Sequence, residues 1–167
     1  MREHLDELAQ AGLVDTTTEE QYTRYWDLLP PETRGLLEEI QRDNPEGLDH
    51  AATVASMADL RASRRSLGDL PLVVLTRGKE DPPPPGVSPE LSAKMAQVWR
   101  EMQAELPSFS TNSAQIIAEN SQHHVHWDAS RLVVASIQKV VEAARAHGRI
   151  DAAALAPLGK LPRENNP

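Results

Sequence analysis

A short, nearly continuous apolar run, Leu70-Pro71-Leu72-Val73-Val74-Leu75-Thr76, dictates more about this chain than any other stretch, and Arg77-Gly78 ends it. Such a run fits a strand buried on both faces, as in a parallel sheet. Gln115-Ile116-Ile117-Ala118-Glu119 reads as a second short strand. Between them, Ser88-Pro89-Glu90 supplies a helix start: a cap, a proline at the first position and an acid in the first turn. Leu91, Met95, Val98, Met102 and Leu106 then repeat at three or four residues, which predicts an amphipathic helix. After the second strand, Val133, Val134, Ile137, Val140, Val141 and Ala144 define another helix, stopping near His147-Gly148. Strand, helix, strand, helix is the order of right-handed parallel crossovers.

The chain before residue 66 reads as helical, with no strand signal. Leu5, Leu8 and Ala9 share a face, and Thr18 is placed to cap a helix through Trp26. Pro31 suits a first helical position, with Leu36, Leu37 and Ile40 following at helical spacing. Asn44-Pro45-Glu46-Gly47 is a turn signal, and a further helix from Asp49 to about Arg65 carries Ala51, Val54, Ala55, Ala58 and Leu60. Pro82-Pro83-Pro84-Pro85-Gly86 reads as a rigid polyproline-like connector, with an SH3-type ligand as the minor reading. The expected division is a helical region over 1–66, an α/β part over 67–148 and a tail over 149–167. In the tail, Ala152 to Leu155 adds a helical turn and Arg163-Glu164-Asn165-Asn166-Pro167 is expected to fray.

Composition narrows the partners. A formal net charge of −8 argues against nucleic acid and anionic membrane surfaces, both of which need a basic face. With no cysteine, disulfides, thiolate zinc sites and cysteine nucleophiles are excluded. No apolar run spans a bilayer, and Met1-Arg2-Glu3-His4 lacks the apolar stretch of a signal peptide. The expectation is a soluble, cytoplasmic protein of one modest domain, or part of a larger one.

In parallel sheets, functional groups gather at the carboxyl ends of strands. Gly78-Lys79-Glu80-Asp81 follows the first run and Ser121-Gln122-His123 the second, so a carboxylate and an imidazole leave two strand ends. An acid that orients a histidine is half of a nucleophilic-hydrolysis machine. The plain alternatives are a solvated acidic turn at Glu80-Asp81 and a surface histidine at 123.

Here the chain resembles the α/β-hydrolases. Residues 67–78 look like the late strand that precedes their catalytic acid, and residues 112–128 like their last strand and histidine loop. That loop often reads Ser-Gly-His, an aromatic, an aliphatic, then a residue and Asp-x-Pro; here Gln122 stands for the Gly and Ser130 for the Pro. The resemblance covers about residues 66–146 and implies His123 as the catalytic base and Asp81 as the triad acid, with Glu80 as its rival. The helices before residue 66 resemble the cap such enzymes insert, and Trp99 and Gln103 resemble a Trp-x-x-x-Gln of related hydrolases, with packing as the expected role. His123-His124-x-His126 invites a metal reading, but no carboxylate completes it, so neither metal nor cofactor is expected.

The resemblance also implies what is missing. No serine here lies in a Gly-x-Ser-x-Gly turn; Ser56 sits in Val54-Ala55-Ser56-Met57-Ala58, inside a helix. Two strands alone form a poor sheet, and the apolar helix faces need more core than the chain supplies. The expectation is therefore a partial α/β-hydrolase fold: a serine-hydrolase lineage for ester or related acyl substrates, without the nucleophile. Completion would come from an N-terminal half or another copy. The other reading is a non-catalytic interaction module that pairs with itself or a partner chain.

Overall fold

The structure is a computed structural model of the 167-residue chain and describes residues 12–42, 50–83 and 87–164. The predicted face at Leu5, Leu8 and Ala9, the turn at 44–47 and the prolines at 84 and 85 lie outside these residues, as do the side chains of Leu36, Leu37 and Ile40. In chain order the elements are β1 (Gly12–Val14), α1 (Gln21–Leu28), α2 (Pro31–Arg42), α3 (His50–Ser63), β2 (Leu72–Arg77) and α4 (Pro89–Glu105). There follow β3 (Ser113–Ala118), α5 (Val125–Asp128), α6 (Ser130–Ala146) and α7 (Ala152–Leu155), with short 3-10 turns at Leu106–Phe109 and Leu158–Lys160. Among the described residues no helix is long and apolar enough to cross a membrane.

The chain forms two compact units. The sheet unit holds the described residues 12–16, 66–82 and 103–164; the helical unit holds 17–42, 50–65, 83 and 87–102. The fold is α/β. Among the described residues three strands form one parallel sheet in the order β1-β2-β3. β1 registers Leu13 on Val74, and β3 registers Ile116 on Leu75.

β2 is the central strand, and its residues Leu72 to Leu75 are at most 1% exposed. Alternation splits them between two cores. Val73 and Leu75 join Ile116, Ala118, Val125, Leu132, Val140 and Leu155 on one face. Leu72 and Val74 join Leu106 on the other, with Leu13 and Phe109 against them. The apolar run thus folds as its composition requires.

Several expectations are corrected. Residues 12–14 are a strand inside the region read as purely helical, because β1 has only three residues and no period to show. Thr18 does not cap α1: that helix starts at Gln21 after Glu20, and the Thr18 hydroxyl instead contacts the Met102 sulfur at 3.3 Å. Ser88 does cap α4, its Oγ accepting from Leu91 N–H at 3.2 Å. α6 turns inward only part of the face its valines and isoleucine suggest: Val140 is buried and Val133 packs against the core. Leu132, Ser136, Val140 and Ala143 are buried, while Val134 and Ile137 are each 54% exposed. α6 ends with His147 in the left-handed conformation (φ 49°) and Gly148 N–H bonded to Ala143 O at 2.8 Å.

The tail is not frayed at Arg163 and Glu164. Arg163 Nε donates to Asp128 Oδ1 at 2.7 Å, and Glu164 N–H to Asp128 O at 2.8 Å. The Glu164 carboxylate also accepts from the Ser130 hydroxyl, a bond that, with Arg131 N–H, outweighs burial and holds its pKa below the ordinary glutamate value. Gly159 packs on β3 so closely that a Cβ there would lie 2.4 Å from Ile117 O, and its own carbonyl accepts from Glu119 N–H at 2.8 Å.

Candidate functional site

Three strand ends meet on one rim of the sheet unit. β1 delivers Asp15, β2 delivers Arg77, and the loop after β3 delivers His123. Parallel pairing puts all three carboxyl ends on the same side, and the narrow inter-strand spacing brings the side chains within reach.

His123 Nδ1 lies 2.8 Å from Asp15 Oδ2. The acid at the ring is therefore Asp15. Asp81, the residue expected there, is exposed in the loop beyond β2, and Nδ1 has Asp15 as its carboxylate partner. Glu80 goes elsewhere: its carboxylate lies 3.8 Å from Arg77 Nη2, and its carbonyl accepts from Gln122 Nε2 at 3.2 Å. The reason is geometric. Asp15 directly follows β1, whereas Asp81 stands four residues beyond the end of β2, after the chain has turned at Gly78. Backbone bonds Gly78 N–H to Ala118 O and Lys79 N–H to Ser121 O, both 2.9 Å, tie that turn to the β3 loop. Gly78 is needed there, since a Cβ would lie 2.5 Å from Glu119 Cα.

Asp15 is held on every side. Its φ is +43°, a left-handed conformation that aspartate tolerates better than most residues. Its N–H donates to Leu75 O at 2.8 Å, its Oδ1 accepts from Arg77 N–H at 3.1 Å, and its Oδ2 from Arg77 Nη1 at 2.9 Å. One arginine thus fixes the plane of the carboxylate, leaving Oδ2 to face the imidazole. The Asp15 side chain is 1% exposed and that of His123 is 57% exposed.

A buried polar network lies behind this corner. Gln103 is fully buried; its Nε2 donates to Thr16 O at 2.7 Å, and its Oε1 accepts from Thr76 Oγ1 at 3.2 Å. Gln115 Nε2 donates to Thr76 Oγ1 at 2.9 Å and to Gln103 O at 3.2 Å. The residue after Asp15 is therefore pinned by the glutamine of the Trp-x-x-x-Gln stretch. That is more specific than the packing role expected for it.

Asp128 clamps the loop that carries His123. Its Oδ2 accepts from Gln122 N–H at 3.0 Å and from Ser121 Oγ at 3.2 Å, while Oδ1 takes Arg163. Burial pushes the Asp128 carboxyl up, but the Gln122 N–H, the Arg163 guanidinium and the Ser121 hydroxyl outweigh it, and its pKa falls below the ordinary aspartate value. Gln122, where the resemblance noted above expects a glycine, does not have a positive φ. Among the described non-glycine residues positive φ occurs at Asp15 and His147, so the loop needs no left-handed residue at 122. His124, His126 and Trp127 are exposed beside the ring, with the His123 and His124 centroids 5.2 Å apart. Among the described residues no group of three His, Cys, Asp or Glu side chains is placed to hold a metal ion.

Chemically, an Asp15 carboxylate accepts, so Nδ1 is the donor and a neutral ring carries its acceptor lone pair on Nε2. That tautomer suits a general base. Sequence reasoning singled out His123 and did not anticipate Asp15 as the carboxylate beside it. The signal was thin: an aspartate after Gly12-Leu13-Val14, ahead of the threonines at 16–18.

A protein of Bacillus subtilis (strain 168), "Uncharacterized protein YqjL", is 31% identical over 93 residues, 54% of this chain. Those residues are 32% of that protein, so the chain spans about a third of the relative's length. No protein-family model and no solved structure matches the chain.

Proposed function

We propose that this chain carries the base and acid of a serine-hydrolase-type site of the α/β-hydrolase lineage, acting on ester or related acyl substrates once a nucleophile is supplied. The observation that supports this reading is the 2.8 Å contact between Asp15 Oδ2 and His123 Nδ1 at the carboxyl rim of a parallel sheet. In the proposed reaction His123 Nε2 takes the hydroxyl proton of a serine as its oxygen attacks the acyl carbon. The ring returns that proton to the leaving alkoxide, and water then frees the acyl group by the same path. Asp15 holds the tautomer and faces the imidazolium that forms. Asp15 replaces Asp81 in this role.

Among the serines of the chain, none lies in a Gly-x-Ser-x-Gly turn, so the nucleophile belongs to a complementing segment. The test mixes this chain with the part of the Bacillus subtilis relative outside the matched stretch and measures turnover of p-nitrophenyl butyrate. The expected result is turnover that His123→Ala and Asp15→Asn each lower by roughly 10³- to 10⁴-fold, and Asp81→Asn leaves unchanged. A folded mixture without turnover, or turnover indifferent to His123, contradicts the proposal.

A second reading, a non-catalytic module that pairs with itself or a partner chain, draws on the exposed Val134 and Ile137 of α6. It expects function to be indifferent to His123→Ala.

A further inference from the structure

Residues 159–164 run along the loop that carries His123 and are bonded to it and to the helices that follow it. Glu119 N–H donates to Gly159 O at 2.8 Å, and Asn120 Nδ2 donates to Leu161 O at 3.0 Å. Arg163 Nε donates to Asp128 Oδ1 at 2.7 Å, and Glu164 N–H to Asp128 O at 2.8 Å. The Glu164 carboxylate completes this strap by accepting from the Ser130 hydroxyl and Arg131 N–H. From the other side the loop is held by Lys79 N–H on Ser121 O at 2.9 Å and by Gln122 Nε2 on Glu80 O at 3.2 Å. All of these residues belong to the sheet unit.

Strap and loop meet at Asp128. It is 3% exposed, and its one carboxylate takes Gln122 N–H at 3.0 Å, Ser121 Oγ at 3.2 Å and the Arg163 guanidinium. A buried carboxylate is costly unless it is paired and hydrogen-bonded. Arg163 supplies the cation. Its own side chain is 56% exposed, so removing it opens no cavity, and what is lost is the charge. Without the guanidinium, Asp128 either takes up a proton or draws in water. Both weaken its hold on Gln122 N–H, one residue before His123.

We infer that Arg163 is a positioning residue for His123: through Asp128 it fixes the loop that holds the imidazole Nδ1 2.8 Å from Asp15. The effect of Arg163 on turnover rests on the hydrolase reading. Its effect on the ring rests on the loop geometry alone.

The test follows exchange of the His123 Nδ1 proton with water in the full chain by ¹⁵N–¹H NMR, with the backbone amides of β2 as reporters of global opening. Arg163→Ala should speed exchange at Nδ1 by about tenfold beyond any change at the β2 amides, the worth of one charge-assisted hydrogen bond. The single Nε contact needs no guanidinium fork, so Arg163→Lys should stay within about threefold of wild type. Arg163→Ala added to Asp128→Asn should change little further, because the two residues act as one unit. Arg163→Gln, with a neutral donor, carries the same comparison where the thermal transition shows Arg163→Ala unfolded. In the complemented esterase mixture, Arg163→Ala should lower kcat by about tenfold and leave KM unchanged. A wild-type ring without a protected Nδ1 proton, unchanged exchange in folded Arg163→Ala, equal acceleration at Nδ1 and the β2 amides, or additive effects of the two substitutions overturns the inference. A wild-type mixture without turnover contradicts the hydrolase reading, and the exchange experiment still decides the role of Arg163.

Discussion

Asp128 is 3% exposed, yet its pKa sits below the ordinary aspartate value because its partners outweigh burial. Linkage then fixes a sign. A carboxyl whose folded pKa is depressed contributes stability that is fully present above the unfolded value of ~3.9, and loses it as pH falls through the folded value. Asp128→Asn should therefore cost about 1–3 kcal/mol at neutral pH, since it leaves the Gln122 N–H and the Arg163 guanidinium with weaker partners. The gap between variant and wild type should narrow as pH falls below the ordinary aspartate value and the wild-type carboxyl is itself protonated. Urea midpoints at neutral and acid pH check this; a gap that widens on acidification contradicts it. At the same scale, His123 is legible from sequence because it lies just beyond a readable strand. Asp15 is not. Which acid reaches the ring depends on pairing between segments about 60 residues apart, Gly12 with Val73, and no local pattern encodes that register.

β2 announces itself because a strand buried on both faces has no room for polar residues, and Leu72 to Leu75 comply. β1 has three residues, too few for any period. α6 misleads for another reason. Its apolar residues run nearly all round the helix, so spacing alone does not choose the inward face, and the sheet selects Leu132, Ser136, Val140 and Ala143. Close approach between elements gives a test at this scale. Gly78→Ala places a Cβ 2.5 Å from the Glu119 backbone where β2 and β3 end, and should destabilise by about 1–3 kcal/mol. Gly35→Ala in α2 meets nothing within 4 Å and should instead stabilise by roughly 0.5–1 kcal/mol, the helix-propensity gain. Chemical denaturation of the two variants compares them directly, and equal costs would show that the crowding at Gly78 is not real.

Taken whole, the chain contains two units whose sequences interleave: one division falls at 65/66, beside the expected end of the helical region, while 83 and 87–102 belong with the helical unit and no division falls at 148. The sheet unit takes 12–16 from the expected cap region, and the 149–164 stretch packs back through Gly159, Arg163 and Glu164. Interleaving of this kind is set by long-range contacts and leaves no mark in local composition. The exposed Val134 and Ile137 give the interaction reading its own check. Val134→Lys with Ile137→Lys should change folding stability by no more than about 0.5 kcal/mol per site. If that face pairs, sedimentation should show association weakened; unchanged association removes the face from consideration. The chemistry depends on something smaller, the imidazole nitrogen that faces Asp15. The most direct measurement is the side-chain ¹⁵N–¹H spectrum of His123 in the wild type, in Asp15→Asn and in Asp81→Asn. The expected result is a protected, low-field Nδ1 proton that Asp15→Asn moves or removes and Asp81→Asn leaves in place. An Nδ1 signal that ignores Asp15 and responds to Asp81 contradicts it.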